Sequence, residues 1–427
     1  MINKNILKQI ILEQNEYFSH KNKQEIERDK LKEIEKFIKL NHVIIISGIR
    51  RCGKSVFLKQ IKEKYYPKST CYYFNFEDER LINFQIEDFN LLYELFIEIF
   101  GEEKTFFFDE IQNITGWERF VRRMQDQGSK FFITGSNASL LSQELGTKLT
   151  GRHINIELFP FSFHEFLKWE GRRFKTNDLL ITKERAQLNK LWQIYFKQGG
   201  FPEFLKNPEH EILEEVYRDI LYKDIAVRYG ITDIKTLKEL FLYLVTNFSN
   251  LFSYNKLKNI FSLGSVNTIK SYINYFENSF LIFTLNAFDY SLKKQIINAK
   301  KNYIIDNGLA RALRFSFIEN EGAFLENLIF LELKRKNEEI YYYKTKNNYE
   351  IDFITKDKNK IKDIIQVSYV FKNQDTIKRE ERALIDAMEE LNLNQSYLIN
   401  EEENKEKKIG KKKIIYIKTL DWMLRAP

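Results

Sequence analysis

The sequence predicts an α/β protein of several domains built around a phosphate-binding parallel sheet. Three observations carry that expectation. Gly48 to Ser55 reads Gly-Ile-Arg-Arg-Cys-Gly-Lys-Ser, the pattern G-x-x-x-x-G-K-[ST]. It follows an apolar, β-branched run, His42 to Ser47, and precedes Val56, Phe57, Leu58 and Ile61 at helical spacing. A second apolar run, Thr105 to Glu110, ends in Asp-Glu, and 427 residues exceed what one ordinary core accommodates.

Strand, glycine loop and helix in that order make a phosphate site. The amides of Gly48, Ile49, Arg50, Arg51, Cys52 and Gly53 and the helix start at Lys54, Ser55 and Val56 converge on a nucleotide β-phosphate. Lys54 is placed to reach the β- and γ-phosphates and the Ser55 hydroxyl to ligate Mg²⁺. Asp109 then serves the metal through its water shell, and Glu110 polarises the attacking water.

Composition bounds the rest. With 43% hydrophobic and 30% charged residues the chain reads as globular, and scarce glycine and proline favour helices with short connections. No apolar run approaches a bilayer span and the N-terminus lacks a long apolar core, so a cytoplasmic protein with no membrane partner is expected. Cys52 and Cys71 fit a reducing compartment, and the scattered histidines argue against a structural zinc site. The net charge of +8 is a weak argument for nucleic acid, because acids and bases are interspersed.

In chain order, residues 1–40 predict amphipathic helices beside the first strand, with Ile26, Leu31, Ile34, Phe37 and Ile38 at helical spacing. Thr70 to Phe76 predicts a second strand running into Glu77 and Asp78, which either approach the metal or a partner subunit or form a solvated loop. Residues 85–100 predict a helix, and another through Trp117, Phe120, Val121 and Met124 exposes Arg119, Arg122 and Arg123. Lys130 to Thr134 predicts a strand leading to Asn137, which suits two roles: bonding the γ-phosphate, or capping a helix from Ala138 to Leu145. Arg152, ahead of a strand from His153 to Leu158, reads equally as an arginine finger, in cis or toward an adjacent subunit, and as a strand-edge ion pair.

The segments GIRRCGKS, FFFDEIQNITGWERFVRRM, FFITGSNASLLS, LTGRHINIELFPFSFHEFL and QGGFPEFL together resemble the archaeal and bacterial AAA+ ATPases that carry a C-terminal domain of unknown function. The resemblance spans nearly the whole chain. It implies a core over residues 41–169 in which the strand before Asn137 lies between the phosphate-loop strand and the Asp109 strand. It also implies ATP as the nucleotide, sites shared between subunits and hence a homo-oligomer, and a helical lid over residues 170–235. Arg218 or Arg228 of that lid would touch phosphate, the alternative being a helix-surface ion pair.

Residues 236–300 predict three helices and a β-hairpin, the pattern of a winged helix. Its third helix, opening after Gly264, would offer Asn267 and Lys270, with Lys258, to DNA, although such modules also serve protein contacts. Residues 301–427 resemble a restriction-endonuclease-like α/β domain through Glu326, Glu350-Ile351-Asp352 and the strand that follows. Asp352 stands where a metal-binding acid belongs, but Gln366-Val367-Ser368 replaces Glu-x-Lys, so an inactive derivative is expected. Residues 401–413 predict a charged loop. The functional expectation is an ATP-binding, Mg²⁺-dependent ATPase, its rival a nucleotide-gated switch that awaits a protein partner.

Overall fold

The computed structural model describes residues 2–20, 25–67, 71–137, 151–174, 176–314, 320–358, 360–371 and 374–424. The helix expected from Ala138 to Leu145 lies outside them. The chain forms two compact units, residues 1–160 with 278–280, and residues 161–277 with 281–427.

In the first unit, helix α1 (Lys4–Ser19) is followed by β1 (Val43–Ser47), α2 (Lys54–Tyr65), β2 (Tyr72–Asn75), α3 (Phe89–Phe100), β3 (Thr105–Asp109), α4 (Trp117–Asp126), β4 (Lys130–Gly135) and β5 (His153–Glu157). The strands form one sheet in the order β2-β3-β4-β1-β5, every pair parallel. β4 thus lies between β1 and β3, as the resemblance implies. A parallel sheet covered on both faces needs apolar side chains on both, which the runs of phenylalanine supply. Phe106 stacks on Phe131 at 4.6 Å and Phe107 on Phe132 at 4.9 Å.

The N-terminal helix departs from expectation. Residues 26–38 form only a one-turn helix, Leu31–Ile34, and a 3-10 turn, Glu35–Phe37, while Lys4–Ser19 forms α1 and buries Leu7, Ile10, Ile11 and Phe18. It lies beside β2 rather than β1, with Phe18 stacked on Tyr73 at 3.9 Å and the Asn15 side chain donating to the Tyr73 carbonyl at 3.0 Å. The outer strand β2 has a free flank for a helix to cover; β1 is interior to the sheet.

The second unit opens with α5 (Phe163–Trp169), α6 (Thr182–Gln198) and α7 (His210–Asp219), which continues as a π-helical stretch, Ile220–Val227. Next come α8 (Ile234–Thr246), β6 (Leu251–Phe252), α9 (Tyr254–Ile260), α10 (Val266–Asn278), β7 (Ile282–Leu285) and β8 (Lys300–Ile304). These strands make an antiparallel sheet in the order β6-β8-β7. The border expected between residues 300 and 301 therefore falls inside β8.

Helices α11 (Asn307–Leu313) and α12 (Glu321–Arg335) lead to β9 (Glu339–Lys344), β10 (Glu350–Asp357), β11 (Lys360–Ser368), α13 (Gln374–Glu390), β12 (Gln395–Asn400), β13 (Lys405–Ile409), β14 (Lys412–Lys418) and α14 (Thr419–Leu424). The six strands form a mixed sheet ordered β13-β14-β12-β11-β10-β9, parallel only through β11, β12 and β14. The charged run expected as a loop is instead the edge strand β13, antiparallel to β14. Pairing satisfies the outer backbone groups of β14, and lysines on an edge resist further strand addition.

The Phe-Pro-Phe-Ser-Phe and Gly-Gly-Phe-Pro segments are structural partners in this unit. The Phe161 amide donates to the Gly200 carbonyl at 2.7 Å, and the Asp306 carboxylate accepts from the amides of Gly200 at 2.7 Å and Leu309 at 3.0 Å.

Candidate nucleotide site

Parallel strands finish on one edge of a sheet, and the pairing of Ser47 with Gly135 and of Phe108 with Ile133 brings the ends of β1, β4 and β3 level there. From β1 the chain passes through Gly48 to Gly53 and enters α2 at Lys54. Crowding requires Gly48, since a Cβ there would lie 2.2 Å from the Leu158 carbonyl oxygen. Ile49 and Cys52 are buried under the loop, Arg50 pairs with Glu77 at 2.6 Å, Arg51 is exposed and Val56 is half-buried. Burial pushes the Cys52 thiol up, which keeps it unreactive.

Lys54 is only 4% exposed. Its Nζ lies 3.2 Å from Glu110 Oε1 and donates to the carbonyls of Gly48 and Ile49 at 3.3 Å. Burial pushes the ammonium down, but Glu110, Cys52 and Asp109 together outweigh it and hold its pKa up.

Asp109 is fully buried at the end of β3. The hydroxyls of Ser55 and Thr134 bond its carboxylate, and Tyr73 Oη donates to Oδ2 at 3.3 Å. Burial and the Glu110 charge push its carboxyl up to about 6. Ser55 and Asp109 thus meet as an oxygen-only pair, the donor chemistry that suits Mg²⁺.

Glu110 adopts the left-handed conformation at φ 51° and ψ 40°, and its amide donates to Thr134 Oγ1 at 2.9 Å. Its carboxylate accepts from the Gln112 amide, which also reaches Ser136 Oγ at 3.3 Å. Burial pushes Glu110 up, but Lys54, Gln112 and Arg50 bring it below the usual carboxylate range. Asn137 is buried two residues past β4, at the same edge of the sheet.

Arg152 is placed elsewhere. It immediately precedes β5, where the Val43 amide donates to its carbonyl at 3.0 Å and Val43 pairs with His153. That is the start of β1, the edge opposite the phosphate loop, and the side chain pairs with Asp126. The in-cis finger is therefore corrected: a full strand length separates Arg152 from its own loop, and the strand-edge ion pair is what forms. Glu77 reaches the loop through Arg50, whereas Asp78 is held by Arg80 at 2.7 Å. Arg119, Arg122 and Arg123 are exposed on α4. In the second unit Arg218 pairs with Glu214 at 3.3 Å, and one Arg228 guanidinium nitrogen is buried with no hydrogen-bond partner among the described residues. Asn267 and Lys270 are exposed on α10 and Lys258 is half-buried on α9.

Three residues escaped the sequence reading. Thr134 ties Asp109 to the Glu110 backbone, and Gln112 holds the Glu110 carboxylate. Arg28, 3% exposed, donates to the carbonyls of Cys52 at 2.8 Å and Phe159, bracing the loop from below. A hydroxyl closing an otherwise apolar strand was a readable signal for Thr134; Arg28 had none.

The chain is similar to several known proteins and families. Residues 40–167 match an AAA domain model, residues 189–320 a domain of unknown function (DUF8612), and residues 321–420 another (DUF4143). An uncharacterized protein of Methanocaldococcus jannaschii is 41% identical over 367 residues, covering 83% of this chain and 80% of its own. An uncharacterized protein of Haemophilus influenzae is 32% identical over 354 residues, covering 80% and 85%. Among solved structures, the Aeropyrum pernix ORC1 protein in complex with DNA aligns over 67% of this chain and 92% of its own, at 10% identity and a TM-score of 0.31. Loop, acid pair and strand order, with the AAA domain match and the 41% identical relative, lead to one conclusion: the chain belongs to the AAA+ ATPase family that carries a C-terminal domain of unknown function.

Proposed function

We propose that the protein binds ATP with Mg²⁺ at the phosphate loop and hydrolyses it to ADP and phosphate, using the cycle to drive or gate a conformational change. The observation that carries this reading is the convergence of Lys54, Ser55, Asp109 and Glu110 at one sheet edge, joined by Thr134. Ser55 and Asp109 would hold Mg²⁺, whose charge offsets that of the phosphates. Lys54 binds the β- and γ-phosphates, the loop amides orient them, and Glu110 accepts the proton of the attacking water. Asn137 bonds the γ-phosphate from the end of β4.

A second reading, a nucleotide-gated switch with slow turnover, is favoured by two observations. Glu110 is engaged by Lys54 and Gln112, and Arg152 lies at the far edge of the sheet from its own loop. Arg152 would then complete the site of an adjacent subunit. The sequence of α8, β6, α9, α10 and the strands β7 and β8 supports a winged-helix module, with Asn267, Lys270 and Lys258 as its DNA-facing residues. The order of α12, three antiparallel strands, α13 and a parallel strand supports a nuclease-derived fold for the last domain.

The test is Mg²⁺-dependent ATP hydrolysis by the wild type and Glu110→Gln across protein concentrations, with and without duplex DNA. Turnover lost in Glu110→Gln with ATP binding retained supports the ATPase. No turnover under any condition, with tight binding, refutes autonomous hydrolysis. Activity rising with concentration in the wild type but not in Arg152→Ala places Arg152 between subunits.

A further inference from the structure

The last domain contains an acid cluster that the ATPase reading leaves unused. Glu326 projects from α12, Glu350 and Asp352 from β10, and all three converge on Lys301 of β8. The Lys301 Nζ lies 3.0 Å from Glu326 Oε1, 2.8 Å from Glu350 Oε1 and 3.0 Å from Asp352 Oδ1, and the residue is 1% exposed. A second layer orients the acids: Tyr303 Oη donates to Glu326 Oε1 at 2.7 Å, and the Val367 amide to Asp352 Oδ2 at 3.0 Å. Gln366 accepts from the Asp352 amide at 3.2 Å and donates to Glu380 at 2.7 Å.

We propose that the Lys301 ammonium stands in this cluster in place of a divalent cation, so that residues 301, 326, 350 and 352 form a closed ion lock and not a metal site. A nuclease-derived fold leads one to expect Mg²⁺ beside Asp352, and the donors present do not fit it while Lys301 is in place. The ammonium takes one oxygen from each acid at hydrogen-bond distance, where a metal would have to sit. Among the described residues no group of three or more acids, histidines or cysteines is arranged to hold a metal ion. Burial pushes the Lys301 ammonium down, but Glu326, Tyr303, Asp352 and Glu350 hold it well above its ordinary range, so it remains charged. The chain thus supplies the cation itself, from a strand outside the six-stranded sheet, and the lock fastens β8 to α12 and β10. Replacement of Glu-x-Lys by Gln366 and Ser368 removes the partners of a catalytic metal; Lys301 removes its place.

The test uses the full chain carrying Asp109→Asn, which disables the candidate metal ligand of the phosphate loop, with nucleotide absent and Mn²⁺ followed by paramagnetic resonance. With Lys301 intact, Asp352→Asn is expected to leave Mn²⁺ binding unchanged. Lys301→Met is expected to unfold at lower temperature, to bind Mn²⁺ roughly tenfold more tightly than its parent, and to lose that gain on adding Glu326→Gln. If Lys301→Met cannot be recovered folded, Lys301→Met with Glu326→Gln is expected to be recovered, because one acid leaves with the ammonium. Mn²⁺ binding that depends on Asp352 while Lys301 is present would overturn the proposal. So would a Lys301→Met protein as stable as its parent, or a double variant no better folded than the single one.

Discussion

The pair of buried Lys54 and partly buried Glu110 makes a quantitative prediction about the nucleotide-free protein. At 3.2 Å and an effective dielectric constant of about 20, the attraction is about 5 kcal/mol before desolvation is charged against it. Lys54→Met leaves Asp109 and Glu110 adjacent, buried and without that counter-ion, which should destabilise the first unit by about 3–5 kcal/mol. Glu110→Gln leaves Lys54 its two loop carbonyls and the Asp109 charge, so it should cost only about 1 kcal/mol. The double variant should then be more stable than the two single losses predict, by a coupling of about 2–4 kcal/mol. Hydrogen exchange of the β1 and β3 amides in denaturant reads the first unit separately from the second. A coupling within about 0.5 kcal/mol of zero would refute the pair. The same geometry predicts that Glu110→Gln binds ATP more tightly than wild type, since Lys54 no longer has to leave a carboxylate to meet the phosphates.

Thr134→Val removes the hydroxyl shared by Asp109 and the Glu110 amide, and should cost about 1–3 kcal/mol and lower turnover by about 10-fold or more; unchanged melting and turnover would oppose the role given to Thr134. Gly199→Ala should cost at least about 3 kcal/mol, because its φ of 72° is left-handed and a Cβ would lie 2.1 Å from Asp306 Oδ1; thermal unfolding measures this. Burial pushes the Asp306 carboxyl up to about 6, so the folded state holds this proton more tightly than the unfolded chain. Its contribution is full below about pH 4 and lost as the pH rises to about 6, about 3 kcal/mol in all. Wild type should therefore gain stability relative to Asp306→Asn between pH 6 and pH 4, and equal slopes would exclude the effect.

The phosphate-loop half of the protein was legible because its chemistry is local. Lys54 and Ser55 stand at set positions in a short loop, and Asp109 and Glu110 end a strand apolar enough to be recognised as buried. The helices at Thr182–Gln198 and His210–Asp219 were equally readable, from apolar residues at helical spacing. A helix was expected somewhere in residues 1–40, but its place was not legible, because residues 4–19 and 26–38 both carry apolar residues at helical spacing and only packing against β2 chooses between them. The charge of residues 405–409 concealed an edge strand, whose backbone pairing does not depend on side-chain polarity.

Sequence alone pointed to an AAA+ core and to Lys54, Ser55, Asp109 and Glu110 as the centre of its candidate nucleotide site, since such motifs encode backbone and side-chain roles within a few positions. Tertiary structure decided what lies far apart in the chain and close in space. It put Arg152 at the wrong edge of the sheet for its own loop, Thr134 and Arg28 around the site, and Lys301 among three acids up to 51 residues away. Strand direction and register set those distances, and neither is written in the spacing of residues along the chain.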